Sequence, residues 1–267
     1  MNILVCIKQV PDTTEIKIDP VKHTLIREGV PSIVNPFDAC ALETAVRLKE
    51  KEGGKVVVIS MGPAQAKNAL KECLAVGADQ AFLVTDRAFG GSDTLATSYI
   101  LSRAIAAVET KTGEKFDLIF CGKQAIDGDT AQVGPQIAEH LGIPVISYAE
   151  GIEVDGDSVI VKRQYEDRHH MLKAKMPVLI TALSELNDPR YMTPGGIFDA
   201  CDAEITTWGR KDLVDVNDGD LGLMGSPTKI AKASDKVRKG AGEKVTPDSP
   251  EEAVDYIMDK LLTKHVI

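Results

Sequence analysis

Short apolar runs alternate with longer segments of helical periodicity along the first half of the chain. The apolar runs predict strands at residues 2–10, 55–60, 81–84 and 116–121. The segments between them predict helices at residues 36–51, 63–76, 93–109 and 131–141. Because strands that alternate with helices are typical of an α/β fold, we expect a mostly parallel sheet with helices on both faces.

Residues at the predicted helix starts agree with this order. Asn35 is expected to be an N-cap, with Pro36 at the first helical position. Asp38 then lies in the first turn, where the helix dipole favours a carboxylate. Ser92 or Asp93 is expected to cap the third helix.

The pattern changes after residue 147. Asp155 and Gly156 form the Asp-Gly pair that is typical of a tight hairpin turn. Apolar runs at residues 159–165 and 178–181 predict further strands. We therefore expect a hairpin appended to the main sheet rather than a separate domain.

From about residue 205 the chain becomes polar and rich in Gly, Pro and spaced Lys, which predicts an irregular arm. Residues 1–204 are thus expected to form the α/β domain, and residues 205–267 an arm that ends in a helix. Ser249 and Pro250 start that helix, whose apolar stripe is Val254, Ile257, Met258, Leu261 and Leu262. Burial of this stripe on its own domain and burial on a partner subunit remain open.

The most informative segment is residues 116–142, which reads FDLIFCGKQAIDGDTAQVGPQIAEHLG. It predicts a buried strand, a loop rich in small and acidic residues, and then a helix start. In a parallel sheet such a loop lies at the carboxyl end of a strand, where open α/β folds bind ligands. The N–H groups of Thr130 to Val133 would precede the helix without intrahelical partners, and such groups attract a phosphate.

No Lys or Arg lies between Gln124 and Gln136, so backbone amides, the helix dipole and the Thr130 hydroxyl are expected to hold the phosphate. Asp127 and Asp129 would repel it at close range. They suit ribose hydroxyls, or hydrogen bonds that fix the loop. A turn and capping role without any ligand remains an alternative.

Composition narrows the possible functions. A net charge of −9 argues against a nucleic-acid surface. The apolar runs are too short to cross a membrane, and Met1 leads directly into a strand, so we expect no membrane insertion and a cytoplasmic location. The five cysteines, at positions 6, 40, 73, 121 and 201, form no CxxC pair and are expected to be reduced core residues.

Site motifs of common enzyme classes are not found in the sequence. His169 and His170 are adjacent and would point to opposite faces of a strand, so no metal site is expected. No nucleophile or general-base constellation is visible, and no catalytic residue is assigned. The first strand continues as CIKQVPD instead of GxGxxG, which disfavours an ordinary NAD-binding Rossmann domain.

Several segments, in the same order, resemble the beta subunit of electron transfer flavoproteins. They are VNPFDACALETAVRLKEK, MGPAQAKNAL, CLAVGADQA, GKQAIDGDTAQVGPQ and LNDPRYMTPGGI, within matches that run from about residue 2 to 205. The resemblance implies the adenine nucleotide alpha hydrolase-like, Rossmann-like variety of the α/β fold. It also implies a heterodimer with an alpha subunit that carries the redox flavin.

In this family the beta subunit holds AMP or, in the electron-bifurcating branch, a second FAD. Carried over by motif, the implied cofactor contacts are Cys6, Lys8, Asn35, Asp38, Met61, Gly62, Asp127, Asp129, Thr130, Ala131, Gln132 and Val133.

Two further segments imply contacts with protein partners. The hairpin at about residues 150–182 resembles the family signature, which makes Arg163 a partner for flavin or for the alpha subunit; Arg168 and His170 depart from that signature. Residues 186–198 resemble the recognition loop for acyl-CoA dehydrogenases. There the implied partner contacts are Arg190, Tyr191 and Pro194, although Pro194 replaces the usual leucine anchor.

The Gly195-Gly196 pair resembles the bifurcating branch and would leave room for a flavin or nicotinamide ring. In that branch NADH reduces the beta flavin, and the electrons divide between an acyl-CoA dehydrogenase-type acceptor and ferredoxin or flavodoxin. A conventional carrier with structural AMP is the alternative. An unrelated adenine-nucleotide enzyme or sensor on the same fold is a third, weaker hypothesis.

Overall fold

The computed structural model describes residues 1–12, 31–228 and 240–267. The chain forms two compact units, Met1–Lys232 and Ala233–Ile267. The strands are β1 (Asn2–Cys6), β2 (Gln9–Pro11), β3 (Ser32–Val34), β4 (Lys55–Met61), β5 (Gln80–Val84), β6 (Leu118–Gly122), β7 (Val145–Asp155), β8 (Ser158–Tyr165), β9 (Arg168–Lys175), β10 (Val178–Ala182) and β11 (Ile205–Trp208). The helices are α1 (Pro36–Glu52), α2 (Lys67–Val76), α3 (Thr94–Thr112), α4 (Val133–Leu141), α5 (Pro194–Asp202) and α6 (Pro250–Thr263).

One sheet has the strand order β11-β5-β4-β1-β6-β10-β7-β8-β9. Neighbours from β11 to β7 pair in parallel, whereas β7, β8 and β9 pair antiparallel. The predicted α/β class with a mostly parallel sheet is therefore confirmed. Gly156, with φ +63°, supplies the left-handed conformation at the turn between β7 and β8.

The direction in which the sheet grows reverses beside β1. Strands β4 and β5 lie on one side of β1, and β6 lies on the other. The connections that leave β1 and β6 therefore diverge and open a crevice at the carboxyl ends of the strands. Open α/β sheets bind their ligands at such a point.

Side chains of the central strands pack against helices on both faces. Ile3 and Val5 lie in one apolar cluster with residues of α1 and α2. Leu4 and Cys6 lie in the other, with residues of α3 and α4. Because successive strand residues point to opposite faces, burial on both sides requires the continuous apolar runs seen in the sequence.

The strand predicted at residues 2–10 is divided. β1 ends at Cys6, and β2 pairs antiparallel with β3 in a separate two-stranded sheet. The Ile7 N–H still binds the carbonyl of Ile59 at 2.8 Å, but the Lys8 carbonyl accepts from the Asn35 N–H at 2.9 Å. That second bond ties the chain to the start of α1 and leads it out of the large sheet.

Two regular elements lie in segments expected to be irregular. Pro194 begins α5, and the Thr193 hydroxyl caps it by accepting the Gly196 N–H at 3.0 Å. Strand β11 joins the sheet edge beside β5, and Trp208 packs on Phe82 with ring centroids 4.8 Å apart. Both elements belong to the first unit, Met1–Lys232.

Helix α6 belongs to the second unit. The Ser249 hydroxyl accepts the Glu252 N–H at 3.2 Å, as expected for its N-cap. Val254, Ile257 and Leu262 on the apolar stripe are each more than half exposed. Among the residues described, none of the helices is both long and apolar enough to cross a membrane.

Candidate functional site

A cavity of about 710 Å³ opens at the carboxyl ends of β1, β4, β5 and β6. This volume lies within the range of roughly 300–1,000 Å³ that is usual for pockets that take a small organic ligand. The predicted site residues that line it are Cys6, Lys8, Asn35, Asp38, Met61, Gly62, Asp129, Thr130, Ala131, Gln132 and Val133. The structure thus brings together segments that are far apart in the sequence.

Asp127, the remaining predicted contact, is used inside the protein. One of its carboxylate oxygens lies 2.6 Å from the Lys8 ammonium, and its side chain is only 6% exposed. The Lys8 side chain is 43% exposed, so a cation from the segment after β1 reaches residues 124–132 of the loop, which contain no Lys or Arg. An anion here would therefore meet the Lys8 charge as well as backbone amides.

Asn35 occupies the N-cap position of α1, but its side chain binds the loop instead of the helix. Its Nδ2 donates to the Gln124 carbonyl at 2.8 Å, and its Oδ1 accepts the Ile126 N–H at 3.2 Å. The expected capping bond is therefore replaced by two hydrogen bonds that join the start of α1 to the loop. The buried amide satisfies two loop backbone groups that water would otherwise have to reach.

Asp38 joins the ends of β1 and β6. One carboxylate oxygen accepts the Lys8 N–H at 2.8 Å, and the other accepts the Gly122 N–H at 2.9 Å. Burial raises the pKa of Asp38 to about 7, although hydrogen bonds from Lys8, Asn35 and Gly122 oppose the rise. The helix dipole was expected to favour an ionised carboxylate at this position. In the folded chain ionisation of Asp38 is unfavourable instead, because desolvation raises its pKa more than the hydrogen-bond donors lower it.

Gly122 is required by this junction. A β-carbon added to it would lie against the Asp38 Oδ1 and 2.7 Å from the Phe37 Cβ. Residue 122 therefore has no room for a side chain where the strand end meets α1.

The loop before α4 has a strained backbone. Asp129 has φ +55° and Ala131 has φ +53°, in the left-handed region that residues with a β-carbon seldom adopt. The Asp129 N–H donates to the Ala125 carbonyl at 2.9 Å, and the Gln124 side chain donates to the Asp129 Oδ1 at 2.7 Å. Asp129 therefore fixes the loop through its own contacts, which was one of its two expected roles.

The start of α4 presents unused donors to the cavity. Within the described ranges, the N–H groups of residues 130–134 donate to no protein acceptor. The Gln132 Oε1 instead accepts the Thr94 hydroxyl at 3.1 Å. Free N–H groups, a helix N-terminus and the nearby Lys8 ammonium together suit a phosphate.

A further part of the lining was not assigned from the sequence. It comes from the connection after β5 and from α3, and includes Phe89, Thr94, Thr97 and Leu101. The position of this connection at the carboxyl end of a parallel strand next to β4 is the signal that could have identified it. It adds apolar surface and hydroxyl groups to the cavity.

Helix α4 packs closely on the sheet. A β-carbon on Gly134 would lie 2.8 Å from the Thr181 Cγ2 and 3.4 Å from the Cys121 Cβ. The close approach therefore leaves no space for a methyl group at residue 134.

The predicted partner residues lie apart from the cavity. Arg163 on β8 donates to the Ser147 carbonyl at 3.1 Å, and its guanidinium lies 5.8 Å from the Tyr148 ring centroid. Arg190 forms ion pairs with Glu43 at 2.8 Å and Glu50 at 2.5 Å, which fixes it on α1.

The neighbours of Arg190 differ in their surroundings. The Tyr191 side chain is 95% exposed, and Pro194 is the first residue of α5. A β-carbon on Gly196 would collide with the Ala75 carbonyl of α2, whereas at Gly195 it would meet open space. The packing of α5 on α2 therefore explains why residue 196 is glycine. A flavin or nicotinamide ring stacked on this residue is not needed to explain it.

Comparison with known proteins agrees with this arrangement. The electron transfer flavoprotein domain model matches residues 22–217. The chain is 56% identical to the electron transfer flavoprotein subunit beta of Clostridium acetobutylicum and 54% identical to that of Thermoanaerobacterium thermosaccharolyticum. It is 50% identical to the caffeyl-CoA reductase-Etf complex subunit CarD of Acetobacterium woodii, and each alignment covers 100% of both chains. The chain therefore belongs to the electron transfer flavoprotein family, as one of its beta subunits.

Proposed function

We propose that this chain binds FAD in the cavity and works with an alpha subunit as an electron-bifurcating carrier. The observation that carries the proposal is the cavity at the β1–β6 reversal, which is lined by free N–H groups at the start of α4 and by apolar side chains such as Phe89 and Leu101. The relative from Acetobacterium woodii bears a name that joins a CoA-ester reductase to an Etf complex, which supports a role of this kind.

The residues present fit a dinucleotide. The N–H groups of residues 130–134 and the Lys8 ammonium suit the phosphates. Thr94 and Thr97 offer hydroxyls along the wall, and Phe89 and Leu101 offer apolar contacts to a ring system. A bound flavin would supply the redox chemistry, taking electrons from NADH for an acyl-CoA dehydrogenase-type acceptor and for ferredoxin or flavodoxin.

The conventional carrier with AMP remains the second candidate. Gly196 is needed for packing against α2, so the Gly195-Gly196 pair gives less support to a stacked ring than the sequence suggested. The phosphate-binding end of the cavity suits AMP as well as FAD.

We also propose the location and partners of the chain. It acts in the cytoplasm, and the heterodimer forms through Arg163 on the hairpin and the apolar stripe of α6. The dehydrogenase contacts the surface next to Arg190 and Pro194, where Tyr191 is 95% exposed and Phe198 is 74% exposed. Exposed aromatic side chains on a fixed segment are suitable anchors for a partner protein.

Ligand analysis of the two-subunit complex tests the choice of cofactor. Two FAD and no AMP per heterodimer are expected, and NADH should bleach flavin absorbance before any dehydrogenase is added. One FAD with one AMP, and no reaction toward NADH, would return the chain to the conventional class.

A substitution at Ala131 tests the location of the phosphate. Ala131→Glu should reduce the nucleotide content because a carboxylate would face the phosphate. Ala131→Gln is the matched control, since it has nearly the same shape and the same backbone strain without the charge. Equal nucleotide content in the two variants would show that the loop is not the phosphate site.

A further inference from the structure

Two cysteines face each other on the floor of the cavity. Strands β1 and β6 pair in parallel with Val5 opposite Phe120, so the same register brings Cys6 opposite Cys121. Both side chains belong to the apolar cluster under α3 and α4, and both line the cavity. They therefore point to the same face of adjacent strands.

The spacing of these residues suits a covalent bond. Adjacent strands lie about 4.8 Å apart, and the α-carbons of disulfides are usually about 4.4–6.8 Å apart. The Cys6 side chain is also the neighbour that raises the pKa of the Cys121 thiol most. The other cysteines lie elsewhere: Cys73 packs in the opposite cluster, Cys40 lies near the Ser184 carbonyl, and Cys201 is exposed.

We propose that Cys6 and Cys121 form a peroxide-sensitive dithiol, which closes to a disulfide when the cavity holds no nucleotide. One thiol attacks a peroxide oxygen and breaks the O–O bond, which gives a sulfenic acid and one water. The second thiol attacks the sulfenic sulfur, forms the S–S bond and releases a second water. Two thiols thus lose two electrons and two protons, and hydrogen peroxide is reduced to two waters.

A bound nucleotide prevents this reaction by filling the space through which peroxide reaches the sulfurs. The neighbouring Cys6 side chain and burial raise the pKa of Cys121 well above its usual value. The thiolate is the reactive form, so the reaction is slow near neutral pH and faster in alkaline solution. The pair therefore reports prolonged loss of ligand rather than brief exposure to oxidant.

Mass spectrometry of the full-length chain tests the proposal. The nucleotide-free chain, the chain with AMP and the chain with FAD are treated with hydrogen peroxide, alkylated under denaturing conditions and digested. A peptide pair cross-linked through Cys6 and Cys121 is expected without nucleotide, together with the loss of two alkylation sites. The cross-link should be absent with either AMP or FAD and should disappear on reduction.

Matched variants assign the effect. Cys6→Ala and Cys121→Ala should each abolish the cross-link, and either is sufficient if the other does not fold. Cys40→Ala, at a buried cysteine outside the cavity, should retain it. Five alkylated cysteines after peroxide would overturn the proposal, and a cross-link that forms equally with nucleotide bound would overturn control by the cavity. Neither result depends on whether AMP or FAD is the natural ligand.

Discussion

Substitution of Asp38 by Asn should change how stability depends on pH. The folded-state pKa of about 7 lies above the ordinary value of 3.8, so the folded chain holds this proton more tightly than the unfolded chain. The stabilisation linked to protonation is complete below about pH 4 and is lost as the pH rises towards 7. Burial of the ionised carboxylate then costs about 4 kcal/mol, a cost that the neutral amide of the variant does not incur.

The difference in unfolding free energy between the wild type and Asp38→Asn measures this cost. Between about pH 5 and pH 8 the unfolding free energy of the variant should rise by about 2.5 kcal/mol relative to that of the wild type. The amide also keeps only one acceptor for the N–H groups of Lys8 and Gly122, which subtracts about 1–3 kcal/mol at every pH. The pH slope, rather than the offset, therefore isolates the ionisation.

Urea unfolding of both chains at several pH values is the assay. Asp93→Asn is a control of opposite sign: burial raises the pKa of Asp93, but hydrogen bonds from Thr228, Ala96 and Leu95 lower it overall. Its stabilisation is present above the ordinary pKa of 3.8 and is lost as the pH falls below it, so the wild type should gain on that variant as the pH rises to about 5, and the difference should then stay constant up to pH 8. A flat difference for Asp38→Asn from about pH 5 to pH 8 would refute the reasoning, since the donors would then outweigh desolvation.

Three other predictions concern packing, ion pairs and the C-terminal helix. Gly134→Ala should destabilise the chain by about 1–3 kcal/mol in urea unfolding, because its methyl group meets the Thr181 Cγ2 at 2.8 Å. Thr181→Ser removes that methyl group and should rescue most of the loss; no rescue would place the strain elsewhere. Glu43→Ala should lower the unfolding free energy by about 3 kcal/mol, since its carboxylate is 2% exposed and pairs with Arg190. Glu50→Ala, at a half-exposed partner of Arg190, should lower the unfolding free energy by less than about 1 kcal/mol. Equal losses for Glu43→Ala and Glu50→Ala would show that burial does not decide the strength of these ion pairs. Deletion from Thr246 onward should weaken the affinity of the two subunits, measured by titration, far more than it lowers the melting temperature of the isolated chain. Unchanged affinity together with a large loss of melting temperature would show that α6 packs on its own chain instead.

The sequence by itself determined the order and class of the elements. Strands at 55–60 and 116–121 and the helix from Pro36 are correct because two-sided burial demands continuous apolar runs and because Pro suits the first helical position. The loop before α4 was located in the same way, since a strand followed by a helix start leaves its N–H groups in a fixed place.

Only the tertiary structure decided how polar side chains are used. Asn35 is a good cap in isolation, yet the folded chain brings Gln124 and Ile126 to it from about ninety positions away. Asp38 likewise acquires its high pKa from burial between two strand ends. Such partners are distant in the sequence, and local preferences contain no information about them.

Close packing at glycines and pairing at the sheet edge were likewise decided only by the tertiary structure. Gly196 has no space for a side chain because α5 packs on α2, and Trp208 on β11 packs against Phe82 on β5 at the sheet edge. Close packing and edge pairing depend on the approach of whole elements, so the sequence predicts the elements but not which of their residues come into contact.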